Sequence, residues 1–575
     1  MATVLNHNDD PPLVERLDRV LTELRAGEKA WAETPLAGRA QMLSAVHRLV
    51  VAHAADWVDA AVAIKGLDPS PLVGEEWISG PWVTATNAAT LAHALGELAR
   101  GRSPLRAARF GTAPGGRTTV QVLPTSVWDR LLLNGYSAEV WLEPGVTAGE
   151  ARLAAGLAQR TPGRTGGIGL VLGAGNITSI APLDVLYELI AHNRVVVLKP
   201  NPITDPLVPV WELVLAPLID AGVLRIVMGG ADVGSALIQH ADIAHVHMTG
   251  SSQTHDAIVF GTGEAGADRK ASGQPLLNKP VTSELGGVSP VIVLGDRWSD
   301  ADLKYQAAHV ATQRLHNGGY NCVASQLVVL PAGWPLKDRF LAELRHAVHD
   351  APPRVAYYPG SDDRVARALG DYPAAVRLGR QQERVFITGL QEDSCGPLID
   401  AETFSPVLGV VELPYAGQEF LRRAAAFVND KVSGTLGINV LAHPRVIAGL
   451  GQAFDEFLAS LRYGTVAVNA WTGVGYLTAT ATWGAYPGHT ITDVQSGIGV
   501  VHNALLIDRS ERTVVRGPFR PLPRSVMTGE LSISPKPPWF VDNRTAAATG
   551  RLLVDFVGRP SAAKLPAIFA SALRG

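Results

Sequence analysis

The chain has 575 residues, of which 47% are hydrophobic and 18% charged, a balance that excludes a disordered protein and supplies material for more than one hydrophobic core. A formal charge of -3 and a pI near 6.6 provide no basic footprint for nucleic acid, so small molecules are the expected partners. Two cysteines cannot staple a chain of this length, which points to a reducing compartment, the cytoplasm. The opening MATVLNHNDDPPLVERL has no basic segment followed by an apolar one, and no run of about 18 uncharged apolar residues occurs, so neither an export signal nor an integral membrane segment is expected.

Residues 12–100 read as helices, with Leu17, Leu21, Leu24 and then Met42, Leu43, Val46, Leu49, Val50 at three- and four-residue spacing. The runs Thr118–Val122 and Ala138–Leu142 alternate like strands. From 168 the pattern is strand, Gly173-Ala174-Gly175-Asn176 turn, helix and a second strand Val195–Leu198, a βαβ unit. Apolar strands separated by helices imply a parallel sheet covered on both faces, which holds ligands at the carboxyl ends of its strands. Strands are also expected at 224–228 and 244–248. The segment 261–280 reads as a surface insertion, its GxGxxG spelling (Gly261 to Gly266) discounted because no apolar helical period follows. A second α/β region opens with Val291–Leu294 and a helix started by the capping pair Ser299 and Asp302. It extends to about 500, and a Pro- and Arg-rich tail then turns helical. The expected division is 1–116, the helical N-terminal part of the cofactor domain; 117–167, a β arm for oligomerisation; 168–287, a Rossmann-like domain; 288–502, a catalytic domain; and 503–575, a C-terminal extension that wraps the body or a partner subunit.

Three residues carry candidate chemistry. Cys322 follows Gly318-Gly319-Tyr320-Asn321; it is either a small buried apolar residue or a nucleophile whose backbone N–H, free at a loop-to-helix junction, lowers its pKa and holds an oxyanion. Glu284, in Glu284-Leu285-Gly286-Gly287, is either a solvated strand-end carboxylate or a base that draws a proton from water to hydrolyse a thioester. Asn176 either caps the helix that follows or holds an oxyanion. Cys395 has no comparable setting, and His245 and His247 lie on a strand where a packed or exposed role outweighs a metal site, so no metal is expected.

Taken in order, these segments resemble the aldehyde dehydrogenase superfamily over about residues 12–500. GAGN at 173–176, VVVLKPNP at 195–202, Met248-Thr249-Gly250-Ser251-Ser252, ELGG at 284–287, Asn317 with Cys322, Glu402-Thr403-Phe404-Ser405-Pro406-Val407 and Gly464–Asn469 are similar to the family's motifs. The resemblance implies an α/β fold with a Rossmann-like cofactor domain, an α/β catalytic domain and a protruding β oligomerisation arm, assembled as a homodimer or homotetramer. It implies that Cys322 attacks an aldehyde, that Asn176 and the Cys322 N–H hold the oxyanion, and that Glu284 activates water. It also implies a nicotinamide cofactor contacted by Lys199, Gly250, Ser251, Gly286, Glu402 and Phe404. Pro202 stands where many members carry a ribose-binding glutamate, which leaves both NAD and NADP open. His255 replaces a glycine after the TGS turn, and Ser405 one before Pro406.

The expected activity is NAD(P)-dependent oxidation of a small-molecule aldehyde to its acid through a covalent thiohemiacetal and thioester on Cys322. The alternatives are a CoA-acylating aldehyde dehydrogenase or acyl-CoA reductase, against which the presence of Glu284 counts, and a catalytically silent homologue kept for binding or structure.

Overall fold

The computed structural model describes residues 12–67 and 70–575; the expectation that the first eleven positions carry no leader lies outside the described residues. Two mixed sheets, of six and eleven strands, organise the chain as the α/β class expected. The six-stranded sheet runs in the order Gly497–Ile498, Val281–Leu285, Ile243–Gly250, Ile168–Leu172, Val195–Lys199, Leu224–Ile226. Its last five strands are parallel, with Gly497–Ile498 antiparallel at one edge. Val195 to Leu198 are wholly buried because the helices Leu13–Glu33 and Ile180–Ala191 both pack on their strand. Leu17, Leu21, Leu24 and Trp31 thereby share one core with these strands.

The helix Ile180–Ala191 is buried along its whole length and carries two carboxylates four residues apart, Asp184 and Glu188, which fall on one face. His245 and His247, two residues apart on the strand Ile243–Gly250, fall on one face of the sheet. The two periods match, so the side chains meet rung by rung: His247 Nε2 lies 3.5 Å from Asp184 and His245 Nδ1 3.4 Å from Glu188. Of the two roles left open for these histidines, packed or exposed, the fold takes the packed one.

The eleven-stranded sheet has a parallel centre: Ser510–Arg516, Thr465–Val468, Gly437–Ala442, Val291–Leu294, Leu327–Pro331, Val407–Leu413 and Arg384–Leu390. Val376–Leu378 closes one edge antiparallel. At the other, Ser137–Leu142, Arg117–Leu123 and Phe110–Ala113 continue the sheet. The arm thus does not stand apart from this chain: Ser510–Arg516 pairs with Ser137–Leu142 on one side and Thr465–Val468 on the other. The linking strand lies beyond 503, where the sequence marks only an extension, and Val500–Asn503 crosses that boundary. Ser510–Arg516 is buried without a break from 511 to 515, so its polar Glu511, Arg512 and Thr513 give no apolar alternation that would have flagged it.

The segment 261–280 departs from its reading as an insertion: Gly263–Ser272 is a helix, mostly exposed, which is why it lacks an apolar period. It follows another helix, Ser252–Val259, rather than a strand, so its glycines do not form a dinucleotide turn. Ser299 and Asp302 form the expected capping box on the helix Asp300–Leu315. The extension wraps the body. Arg520 Nε reaches Asp302 Oδ1 at 2.8 Å, Gln306 donates to the Phe519 carbonyl at 2.7 Å, and the helix Ala546–Gly558 packs on Val73–Trp77.

Candidate active site

Three segments converge where parallel strands end, the position at which open α/β sheets hold ligands. The turn 173–176 follows the strand Ile168–Leu172, Glu284 closes on the end of Val281–Leu285, and the loop carrying Cys322 comes from the other sheet, between Asp300–Leu315 and Leu327–Pro331. A cleft of about 1480 Å³ runs along this junction. Its walls bring together Asn176, Lys199, Gly250, Ser251, Glu284, Gly286, Cys322, Glu402 and Phe404, every site residue singled out from the sequence.

Asn176 is not a helix cap, because Ile180–Ala191 begins after Ser179. Its Nδ2 donates to the Tyr320 carbonyl at 3.1 Å, and its own carbonyl accepts from Asn317 Nδ2 at 3.0 Å and from the Tyr357 hydroxyl at 3.2 Å. Asn317 adopts φ 53° and also donates from its backbone N–H to Glu75 at 3.0 Å. Glu75 is in turn ion-paired with buried Arg354. The asparagine turn and the cysteine loop are therefore stitched into one unit, with a second amide hydrogen of Asn176 left over for a ligand.

Cys322 is half-buried and sits in a turn that leads to a strand. This corrects the expectation of a loop-to-helix junction with a lowered thiol pKa. With no helix N-terminus beneath it, burial pushes the thiol well above its ordinary value, and the nearby Glu284 and Glu402 push it further, against the backbone N–H of Cys322 itself. Glu284 is buried, and burial raises its carboxyl too; the Cys322 thiol and the Trp483 indole face it and act in the opposite direction. Its Oε1 has no hydrogen-bond partner among the described residues. The thiol donates to Asn321 Oδ1 at 3.7 Å, and it lies near the Glu284 carboxyl in a cleft where a single negative charge is already costly.

Behind Glu284 lies the buried Asp184. Thr249 Oγ1 donates to it at 3.0 Å, and His502 Nε2 is 3.2 Å away. Burial alone would raise Asp184, but His247 and His502 outweigh it and hold the carboxyl below its ordinary range.

Glu402 is pushed up to about 8, first by burial and then by Glu284, against the opposing charges of Arg314 and Arg364. Its carboxylate lies against Gly286, where any Cβ would collide with it, and its Oε1 is buried without a partner among the described residues. Phe404 takes φ 47° and packs edge-on against Tyr358 at 4.8 Å. Ser405 Oγ accepts from Arg364 Nε at 3.1 Å, so the serine that replaces a glycine anchors this segment. His255 is fully buried beside Asp256. Ser251 Oγ accepts from the Thr254 N–H at 3.2 Å, at the start of Ser252–Val259, so that the helix opens on the cleft. Lys199 also lines it, lowered by burial although Asp205 and Asp232 oppose this. A lysine, a helix start and an unpartnered buried carboxyl suit an elongated anionic ligand that also bears hydroxyl donors.

Sequence reasoning missed Lys270, Lys279, Arg364 and Arg367, which also line the cleft. They come from helices and loops outside any motif, and only their common exposure to one cleft marks them.

A model of the aldehyde dehydrogenase family matches residues 165–355. Relatives include the N-succinylglutamate 5-semialdehyde dehydrogenase of Sphingopyxis alaskensis, 25% identical over 54% of this chain and 66% of that protein. The aminoacetaldehyde dehydrogenase of Pseudomonas aeruginosa is 30% identical over 42% of this chain and 48% of its own length. The chain thus matches between about half and two thirds of these relatives. Among solved structures, a Mycobacterium tuberculosis aldehyde dehydrogenase complexed with NAD+ superposes with a TM-score of 0.58 at 20% identity, over 86% of this chain and 88% of that one. An NADP-dependent glyceraldehyde-3-phosphate dehydrogenase from Bacillus halodurans, complexed with NADP, gives 0.56 at 18% identity over 87% and 91%. The fold is that of the aldehyde dehydrogenases. Sequence similarity to that family is carried by residues 165–355, and the likeness of fold extends over 86% of the chain.

Proposed function

We propose that the protein oxidises an aldehyde to a carboxylic acid with NAD or NADP, using Cys322 as nucleophile. The observation that carries this reading is the pairing of the Cys322 thiol with the raised carboxyl of Glu284 inside a cleft that also presents Asn176. Glu284 takes the thiol proton as sulfur attacks the aldehyde carbon, which compensates for a thiol too weakly acidic to ionise alone. The free Asn176 amide hydrogen and the Cys322 N–H hold the oxyanion of the thiohemiacetal. Lys199, Ser251 and Glu402 hold the dinucleotide, with Gly250, Gly286 and Phe404 shaping its bed. When bound, the nicotinamide dinucleotide supplies the hydride acceptor. Once Glu284 has passed the thiol proton on to solvent and is a carboxylate again, it draws a proton from water, whose oxygen attacks the thioester carbonyl and releases the acid and the Cys322 sulfur.

The test is a panel of aldehydes with NAD and with NADP, in the presence and absence of CoA, following nicotinamide absorbance and free acid. Acid release without CoA is expected, and turnover only with CoA would shift the reading to acyl transfer. Cys322→Ala is expected to lower turnover by at least roughly 10³-fold while dinucleotide binding persists. Unchanged turnover in that variant would remove the assigned nucleophile.

A further inference from the structure

We propose that the acyl end of this site is a blind apolar pocket fitted to a short, uncharged aldehyde, walled by the kinked helix at 78–82 and braced from behind by the C-terminal extension. The inference rests on the reading of Cys322 as nucleophile. Besides the large cleft, Cys322 borders a second cavity of about 30 Å³, and among the described residues it alone lines both. Cys322 thus stands between a roomy cleft of mixed polarity and a narrow, mostly apolar pocket. Ile78, Ile177, Trp471, Tyr476 and Trp483 line that pocket, together with the polar Ser79, His316 and Asn321. No Lys, Arg, Asp or Glu lines it.

Two quantities decide what fits. A water-sized group needs about 10 to 15 Å³ on this measure, so the pocket takes roughly two or three heavy atoms beyond the reacting carbon. A carboxylate or phosphate would enter an enclosure with no Lys or Arg to neutralise it. The polar atoms of the lining, among them the indole N–H groups of Trp471 and Trp483 and His316 Nδ1, unpartnered among the described residues, offset only part of a desolvation cost of several kcal/mol. Charged aldehydes of the kind named for the relatives above are therefore disfavoured here.

The wall is held in place. Ile78–Trp82 forms a π-turn around Pro81, whose missing N–H and ring do not fit a regular helix. Ser179 Oγ donates to the Ser79 carbonyl at 2.5 Å and lies 2.7 Å from the Tyr476 hydroxyl, tying that turn to both the asparagine turn and the pocket side. On the outer side, the helix Ala546–Gly558 lies directly on Val73–Trp77. The contact is too close for side chains at two positions: a Cβ on Gly550 would stand 2.7 Å from the Trp77 Cβ, and one on Gly74 would overlap Ala546. The extension thus backs the wall with close-packed atoms, and outward movement to admit a long chain meets overpacking.

The experiment is a length series from acetaldehyde to octanal, with succinic semialdehyde as the charged probe, on the full chain and on Ile78→Ala and Ile177→Ala. Wild-type kcat/KM is expected to peak at roughly two to four carbons and to be at least about tenfold lower for octanal and succinic semialdehyde. Each alanine variant is expected to move the optimum to longer chains. Octanal matching propanal in wild type, or an unchanged length profile in the folded variants, overturns the pocket. A second measurement needs no turnover: straight-chain amides are tested for protection of Cys322 against iodoacetamide. Propionamide is expected to protect better than octanamide, and equal protection overturns the pocket. Length-selective protection without any nicotinamide reduction would uphold the pocket and refute the oxidation reading.

Discussion

Glu402 shows how one buried carboxyl ties stability to pH. Its folded value, about 8, lies above its ordinary one, so the folded protein binds this proton more tightly than the unfolded chain does. Stability attributed to it is present at low pH and is lost as pH rises from the ordinary carboxylate range through about 8. Glu402→Gln is expected to flatten the fall in Tm between about pH 5 and pH 9, checked by thermal melts across that window. Glu284 and Cys322 are both raised, so the base form of the pair appears only above the range of a free carboxylate. The logarithm of kcat/KM should accordingly climb toward alkaline pH, and Glu284→Gln should lower acid release by roughly 10² to 10⁴-fold. A flat profile through neutral pH would contradict the shared-proton pair.

Among the elements, the helix Ile180–Ala191 and the strand Ile243–Gly250 are coupled by charge as well as by apolar packing. Asp184 accepts from Thr249 and faces His247 and His502, all within 3.5 Å. Removing one member of such a buried group strands the others, at about 3 to 5 kcal/mol. Asp184→Ala is expected to lose stability of this order in urea denaturation, whereas Asp184→Asn, which can still accept from Thr249, should lose less. An Asp184→Ala midpoint equal to wild type would mean that the ladder is only steric.

For the whole molecule, the extension is part of the fold. Arg520 contacts Asp302 at 2.8 Å, Glu530 at 3.1 Å and His443 at 2.7 Å, which pins the segment after the last strand to the start of Asp300–Leu315. Arg520→Ala is expected to cost about 3 kcal/mol and to raise hydrogen exchange across 517–545 before it changes exchange in the central strands. Uniform exchange along the chain in that variant would show that the tail does not open separately. The strand Ser510–Arg516 makes the same point through hydrogen bonds, since it joins the arm 117–142 to the parallel sheet within one chain.

Much of this was legible in the residues. Apolar strands alternating with helices fixed the class, because a parallel sheet needs cover on both faces, and the turns at 173–176, 249–251, 284–287 and 317–322, taken in order, pointed to the cleft through their resemblance to a family's motifs. The Ser299 and Asp302 cap was readable because capping is local. Tertiary structure alone decided what depends on neighbours distant in sequence. The acidity of Cys322 is set first by burial and then by Glu284 and Glu402, 38 and 80 positions away (322 minus 284, 402 minus 322), and reverses the expectation drawn from its local loop. The pairing of Asp184 and Glu188 with His247 and His245, the strand that ties the arm to the sheet, and the tail helix behind the pocket wall likewise arise from packing. A sequence records the period of each element, whereas burial and charge at a site depend on which elements the fold brings into contact.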